Sequence, residues 1–124
     1  MSKEVSQEIV DLLADNNLDV FFEFLSKDIV FTAASPGRTW HGIGFKEAKK
    51  ALQDFFSPDE IITRVIRVEH FDLPGRYRVS YRLQGEKKNE GPFEYEHQAY
   101  YQMEDQRISR LRILCSGLYT PNTN

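Results

Sequence analysis

Residues 93–103 read FEYEHQAYYQM, in which large side chains alternate with polar ones. Successive side chains of a β-strand point to opposite faces, so a period of two predicts a half-buried strand. One predicted face is aromatic and apolar except for His97, and the opposite face carries glutamates and glutamines. This strand should therefore separate a hydrophobic core from a polar surface.

The period of two continues on both sides of this stretch. Four runs are predicted as strands, over residues 61–72, 76–85, 92–104 and 107–117, and turn-forming residues separate them. Short connections favour antiparallel hairpins. On the predicted outer face, arginines of the second and fourth runs flank the glutamates of the third. Neighbouring strands would then form an Arg–Glu–Arg ladder of cross-strand pairs.

The first sixty residues have a helical period instead. Helices are predicted over residues 4–14, from Leu18 to Leu25, and from about Gly44 to Phe56. A short buried strand from Ile29 to Ala33 lies between the second and third helices, and a turn follows at residues 35–37. The inward side chains of the third helix are predicted to be Phe45, Ala48, Leu52, Phe55 and Phe56.

Helices followed by strands indicate an α+β fold. We expect three N-terminal helices to pack on one face of a curved, mostly antiparallel sheet. The 124 residues suit one domain, spanning residues 1–124.

Composition disfavours several classes of partner. Sixteen basic against nineteen acidic side chains give a net charge of −3, so a nucleic-acid partner is not expected. No apolar run approaches the roughly 20 residues of a membrane span, so no membrane partner is expected either. The N-terminus lacks a signal-peptide pattern, and a single cysteine, Cys115, excludes an internal disulfide. We expect a reduced, cytoplasmic location.

Several segments resemble the NTF2-like superfamily, which includes SnoaL-like polyketide cyclases and ketosteroid isomerases. They are NNLD at 16–19, FLSKDIVF at 24–31, WHGIGFKEA at 40–48 and RISRLRI at 107–113. The resemblance implies a cone-shaped α+β barrel with an internal pocket between the concave sheet and the helices. It also implies a homodimer formed through the outer face of the sheet.

The catalytic residues of the family are largely absent. Where the isomerases place a general base, this chain has Ala33 and Ala34, and its first predicted helix has no tyrosine. The predicted inner face of residues 93–103 has no carboxylate. Scytalone dehydratase, which shares the fold, uses histidines and tyrosines, and that mixture is present here.

His97 is the candidate general acid or base, with Tyr95 and Tyr101 as candidate hydrogen-bond donors to a developing oxyanion. The alternative is a core histidine that is hydrogen-bonded to a tyrosine or a carbonyl. The sequence leaves open which way Arg64 and Glu69 face, and likewise His70. Candidate ligand-binding residues are Trp40, Phe31, Tyr77 and Tyr81.

The predicted ligand is a small apolar or aromatic molecule. The chemistry would be isomerisation, cyclisation or dehydration without a cofactor. The alternative is a non-catalytic ligand-binding or accessory interaction module of the same fold. Three histidines on separate elements predict no metal site, and Gly42-Ile43-Gly44 is interpreted as a turn rather than a phosphate loop.

Overall fold

A computed structural model describes residues 2–117. Helix α1 spans Ser2–Ala14 and ends where Asn16 adopts a positive φ of 57°. Asn17 then caps helix α2 (Leu18–Phe22), because its side-chain oxygen accepts a hydrogen bond from the amide of Val20. Both helices bury an apolar stripe, as the helical period predicts: Ile9, Val10, Leu13, Phe21 and Phe22.

Six strands and one more helix complete the described chain. They are β1 (Leu25–Ser35), β2 (Arg38–Ile43), α3 (Phe45–Phe55), β3 (Glu60–Leu73), β4 (Arg76–Lys87), β5 (Gly91–Glu104) and β6 (Arg107–Cys115). The strand order in the sheet is β2-β1-β6-β5-β4-β3. Every neighbouring pair is antiparallel except β1 and β6, which are parallel. The α+β class and the mostly antiparallel curved sheet are confirmed. The edge strands β2 and β3 do not pair with each other, so the cone is open along that side.

The predicted inner faces of β4 and β5 are confirmed. Tyr81 pairs directly with His97 and Leu83 with Tyr95, and all four side chains are buried. Helices α1 and α3 cover this face, α1 against β3 and β4, and α3 against β1 and β2. Sheet and helices share one hydrophobic core.

The strand predicted from Ile29 to Ala33 is confirmed and lies within the longer β1. The second helix was predicted to reach Leu25, but it ends at Phe22, and Leu25 begins β1. The segment 38–43 after the turn is a further strand, β2, which was not predicted and which places Trp40 on an edge strand. Phe45, expected to face inward, begins α3 and is exposed. Edge strands pair on one side only, so their sequences alternate weakly and resemble loops.

The outer face of the sheet has only part of the predicted ladder. Arg82 bonds Glu94 and Glu96, and Arg67 bonds Glu96, so β3, β4 and β5 are linked. The expected pairs between β5 and β6 are absent from the described residues. The register places Tyr100 opposite Arg112 and Gln102 opposite Arg110.

Candidate functional site

The interior of the cone is filled by aromatic side chains around His97. The His97 ring is 2% exposed and stacks on Tyr95, with 4.1 Å between ring centroids. Phe55 and Phe56, at the end of α3, approach it with centroid distances of 5.2 and 5.7 Å. These contacts occupy the space in which the sequence predicted a ligand around His97.

The His97 ring makes a polar contact with Tyr81. The Tyr81 hydroxyl and His97 Nδ1 lie 3.0 Å apart. Burial lowers the pKa of His97 to about 3 and raises that of Tyr81. His97 is therefore a neutral histidine in a satisfied hydrogen bond, which is the core alternative of the sequence analysis.

The other predicted site residues lie in the same packed interior or near the outer face. Phe31 is fully buried, and Tyr77 packs on Tyr101, whose hydroxyl bonds Ser6 of α1. Trp40 contacts Phe55 and donates its indole N–H to Asp54, 2.9 Å away. Their roles in binding or catalysis stay predictions.

Of the three side chains whose direction was open, two face away from the interior. Glu69 and Arg64 lie opposite the outward positions Ser80 and Gln84, and Glu69 is exposed beside Arg67. His70 lies opposite inward Val79, under α1, where its Nε2 is 3.1 Å from Gln7.

A cleft opens at one end of the cone and is here called the end cleft. Its volume is about 420 Å³. Its lining includes Tyr95 and Phe56, whose rings also contact the His97 ring. Its walls come from the α1–α2 turn, the end of α3 and the start of β3: Leu13, Asn16, Asn17, Leu18, Gln53, Ser57, Pro58, Glu60, Ile61 and Ile62.

Asn16 fixes one rim of the end cleft. Its side chain accepts a hydrogen bond from the Ile62 amide at 2.8 Å and donates one to the Ile62 carbonyl at 3.1 Å. The positive φ of Asn16, which asparagine tolerates better than most residues, turns the side chain toward β3. The turn between the first two helices is thereby attached to an edge strand.

Glu60 is the acidic residue among the described residues of the end cleft. Its side chain is 13% exposed, and its Oε2 lies 4.0 Å from the Lys87 ammonium. Burial raises the pKa of Glu60, and Lys87 opposes that effect only in part. The charge of Glu60 contributes to the raised pKa of Tyr95, whose main cause is burial. Glu60 and Tyr95 therefore both line the end cleft as groups whose pKa is raised mainly by burial.

Sequence reasoning missed Glu60. The predicted strand began at residue 61, and a single glutamate after a Ser-Pro-Asp turn resembles any exposed loop residue. Its partner across the sheet is Lys87, which is distant in sequence, so the local pattern contains no signal for its burial.

The described residues contain no group of three or more histidine, cysteine, aspartate or glutamate side chains placed to hold a metal ion. Cys115 lies opposite His97 on β6, and burial raises the pKa of its thiol. Between residues 2 and 117, none of the helices is long and apolar enough to cross a membrane.

Comparison with known proteins gives similarity in structure but not in sequence. No family model matches the chain, and no curated protein matches it. A proposed isomerase from Bacillus subtilis superposes with a TM-score of 0.75 at 12% identity, covering 93% of this chain and 86% of that one. A proposed SnoaL-like polyketide cyclase from Mesorhizobium loti superposes with a TM-score of 0.65 at 15% identity, covering 91% of this chain and 97% of that one. An NTF2-like protein of unknown function from Burkholderia pseudomallei superposes with a TM-score of 0.65 at 16% identity, covering 90% of this chain and 88% of that one.

The chain therefore has the NTF2-like fold, in agreement with the resemblance of its sequence segments. Within that fold its structural neighbours include SnoaL-like proteins and proposed isomerases. A shared fold at these identities does not transfer an active site, so function has to be argued from the end cleft itself.

Proposed function

We propose that this protein binds a small apolar or aromatic molecule in the end cleft and transfers a proton on it without a cofactor. The observation that carries the proposal is that Glu60, a shielded carboxyl 4.0 Å from the Lys87 ammonium, lines the same mainly apolar cleft as Tyr95. Burial raises the pKa of both groups. His97 is not the base in this proposal, because it is buried behind Tyr95.

The shape and lining of the end cleft suit a ring compound. Small-molecule sites usually have volumes of about 300–1,000 Å³ and mostly apolar walls with a few polar groups. The end cleft has Leu13, Leu18 and Ile62 on its walls and two aromatic rings in its lining. A flat hydrophobic molecule would contact both sets of side chains.

Glu60 and Tyr95 supply the two groups that an enolisation requires. The Glu60 carboxylate would take a proton from a carbon next to a carbonyl, while the Tyr95 hydroxyl donates a hydrogen bond to the enolate oxygen. The carboxylic acid would then return the proton to another carbon, which completes an isomerisation. Delivery to a departing hydroxyl would give dehydration, with water as the second product.

The structural neighbours support this class of reaction. Isomerase and polyketide cyclase activities have been suggested for proteins of the same fold. Both can proceed by removing a proton next to a carbonyl and returning one elsewhere, so neither requires a cofactor.

Ligand binding is tested by titrating the protein with naphthol and following side-chain methyl signals by NMR. We expect Leu13, Leu18 and Ile62 to shift together while Leu114, on the outer face, does not. Leu18→Trp should fill the end cleft and abolish the shifts of the other two. Ile43→Trp, at a residue that is 59% exposed and outside the cleft, is the matched control and should leave them unchanged. Equal effects of the two variants would refute the end cleft as the site.

Catalysis is tested by screening ring ketones for isomerisation with Glu60→Gln and Glu90→Gln. Both glutamates approach Lys87, at 4.0 and 3.9 Å, but Glu90 is an exposed loop residue. Loss of one catalytic acid or base typically lowers the rate about 10²–10⁴-fold. We expect that loss in Glu60→Gln alone.

The non-catalytic alternative has one observation in its favour. The described lining of the end cleft brings a single carboxyl to the ligand, whereas many acid/base sites use two titratable groups with separated pKa values. Naphthol binding without turnover of any ring ketone would support a binding module and refute the proton transfer.

A further inference from the structure

The outer face of the sheet carries a groove of about 920 Å³, on the opposite side from the end cleft. It crosses β2, β1, β6 and the near ends of β5 and β4. The pairing registers place Tyr100, Arg112, Thr32 and His41 in one row across four adjacent strands. We call this surface the outer groove.

The outer groove is basic and holds no carboxylate among its described lining residues. Arg76, Arg110 and Arg112 line it and are exposed, and none of them has an acidic partner within 4.0 Å in the part of the chain that the structure describes. Arg110 also lines a neighbouring depression that contains Asp28 and Glu104, so the other two arginines are the more isolated.

Two other arginines of the outer face are paired. Arg67 and Arg82 both bond glutamates of β5. The arginines of the outer groove therefore differ from these two in having no acidic partner among the described residues, although the whole chain carries a net charge of −3.

A further arginine, Arg78, lies beside the outer groove and stacks on aromatic rings. The Arg78 guanidinium lies 4.0 Å from the centroid of the Phe71 ring and 6.0 Å from that of Tyr100, a lining residue. Its Nε is buried and has no hydrogen-bond partner among the described residues. Stacking on aromatic rings fixes the plane of a guanidinium, so Arg78 holds a positive charge beside the lining residue Tyr100.

Apolar side chains lie between the charges. Val30, Ala34 and Leu114 line the groove on β1 and β6, and Leu114 is 37% exposed. Arg110 and Arg112 are two residues apart on one strand, which separates their backbones by about 6.6 Å. One anionic group can therefore contact both Arg110 and Arg112 while an attached hydrocarbon lies on the neighbouring apolar surface.

We propose that the outer groove is a second binding site, which takes a small amphipathic anion: a molecule with one phosphate or carboxylate and an apolar body. Guanidinium groups recognise both anions through paired N–H donors. The proposal is independent of the end cleft and would survive if that cleft bound nothing.

The test is an NMR titration with naphthyl phosphate at about 0.15 M salt, where the Debye length is about 8 Å. Amide signals of Thr32, Arg112 and Leu114 should shift, with a Kd below about 1 mM. Arg112→Gln should raise that Kd at least tenfold. Arg67→Gln removes the same charge from the same face, but at an arginine already paired with glutamates, and should change the Kd less than twofold.

Three results would overturn the proposal. They are the absence of shifts in the outer groove, equal weakening by the two arginine variants, and equal shifts with neutral naphthol. Absent shifts would show that the outer groove is not a site. Equal weakening by both variants would show that the attraction is only a general charge effect. Equal shifts with naphthol would show that the anionic group is not recognised. Leu13 and Ile62 report the end cleft in the same spectra, so binding there is scored separately.

Discussion

His97 shows how far burial changes the chemistry of one residue. Its ring is enclosed by Tyr95, Phe55 and Phe56, and its hydrogen bond to Tyr81 is satisfied. The pKa of about 3 follows from loss of hydration, with no compensating negative charge. A histidine in this state orients its neighbours and does not exchange protons near neutral pH.

Protonation of His97 should make stability depend on pH. The pKa of the His97 ring is 6.5 in the unfolded chain and about 3 in the folded protein. Between pH 3 and pH 6.5 the unfolded state therefore binds a proton that the folded state does not. The stabilisation is fully present above pH 6.5 and is lost as pH falls toward 3. We expect the His97 contribution to the free energy of unfolding to decrease by about 1.4 kcal/mol between pH 7.5 and 5.5.

Urea unfolding of the wild type and two variants measures this effect. His97→Gln should remove that part of the pH dependence, whereas His41→Gln, at an exposed histidine, should retain it. A slope that is the same in both variants would show that His97 does not titrate on unfolding.

At the scale of elements, Gly85 determines how closely β3, β4 and β5 can approach beside the end cleft. It pairs with Ile62 on one side and Phe93 on the other. A Cβ at this position would lie 2.3 Å from the Ile61 carbonyl oxygen and 2.6 Å from the Phe93 ring. The backbone oxygen cannot move without shifting β3.

Gly85→Ala should therefore destabilise the fold by about 1–3 kcal/mol, the usual cost of overpacking. Gly75→Ala is the control, because nothing lies within 4 Å of the added Cβ and only the positive φ of 74° opposes it. Its expected cost is about 1 kcal/mol. Thermal unfolding compares the two, and a smaller effect at Gly85 than at Gly75 would contradict the packing described here.

The elements also show what sequence can predict. The strict alternation in β4 and β5 identified both faces, because a strand with one buried face must keep that period. β2 was missed because an edge strand needs little alternation, and the exposure of Phe45 depends on where α3 begins. Glu60 could not be found, since it is shielded by the pairing of β3 with β4, which places Lys87 beside it. The filling of the cone likewise depends on how the end of α3 meets β5.

At the scale of the whole molecule, we propose that two copies meet through the outer face of the sheet, as the family resemblance implies. The exposed Leu114 and the ring of Tyr100 offer apolar contact on that face. The arginines of the outer groove would meet their own copies or lie near them, and like charges repel. Such a homodimer should therefore be stabilised by salt. Because it would cover the outer groove, the amphipathic anion proposed above would bind the monomer and lower the dimer fraction.

Light scattering after size exclusion measures this effect directly. Between about 0.01 M and 1 M salt the Debye length falls from about 30 to 3 Å, so the dimer fraction should rise over that range. Arg112→Ala should shift the rise in dimer fraction to a lower salt concentration, and Arg67→Ala should shift it much less. A dimer fraction that falls with salt would exclude this face as the interface.

The central claim is that Glu60 acts as an acid or base inside a ligand-binding cleft. The most direct measurement is a ¹³C NMR titration of the glutamate side-chain carboxyls, with and without naphthol, using Glu60→Gln to assign the signal. We predict a pKa for Glu60 above its ordinary value of 4.5, because of burial, and a change in that pKa when naphthol occupies the cleft. A Glu60 that titrates at 4.5 and does not respond to naphthol would contradict the account.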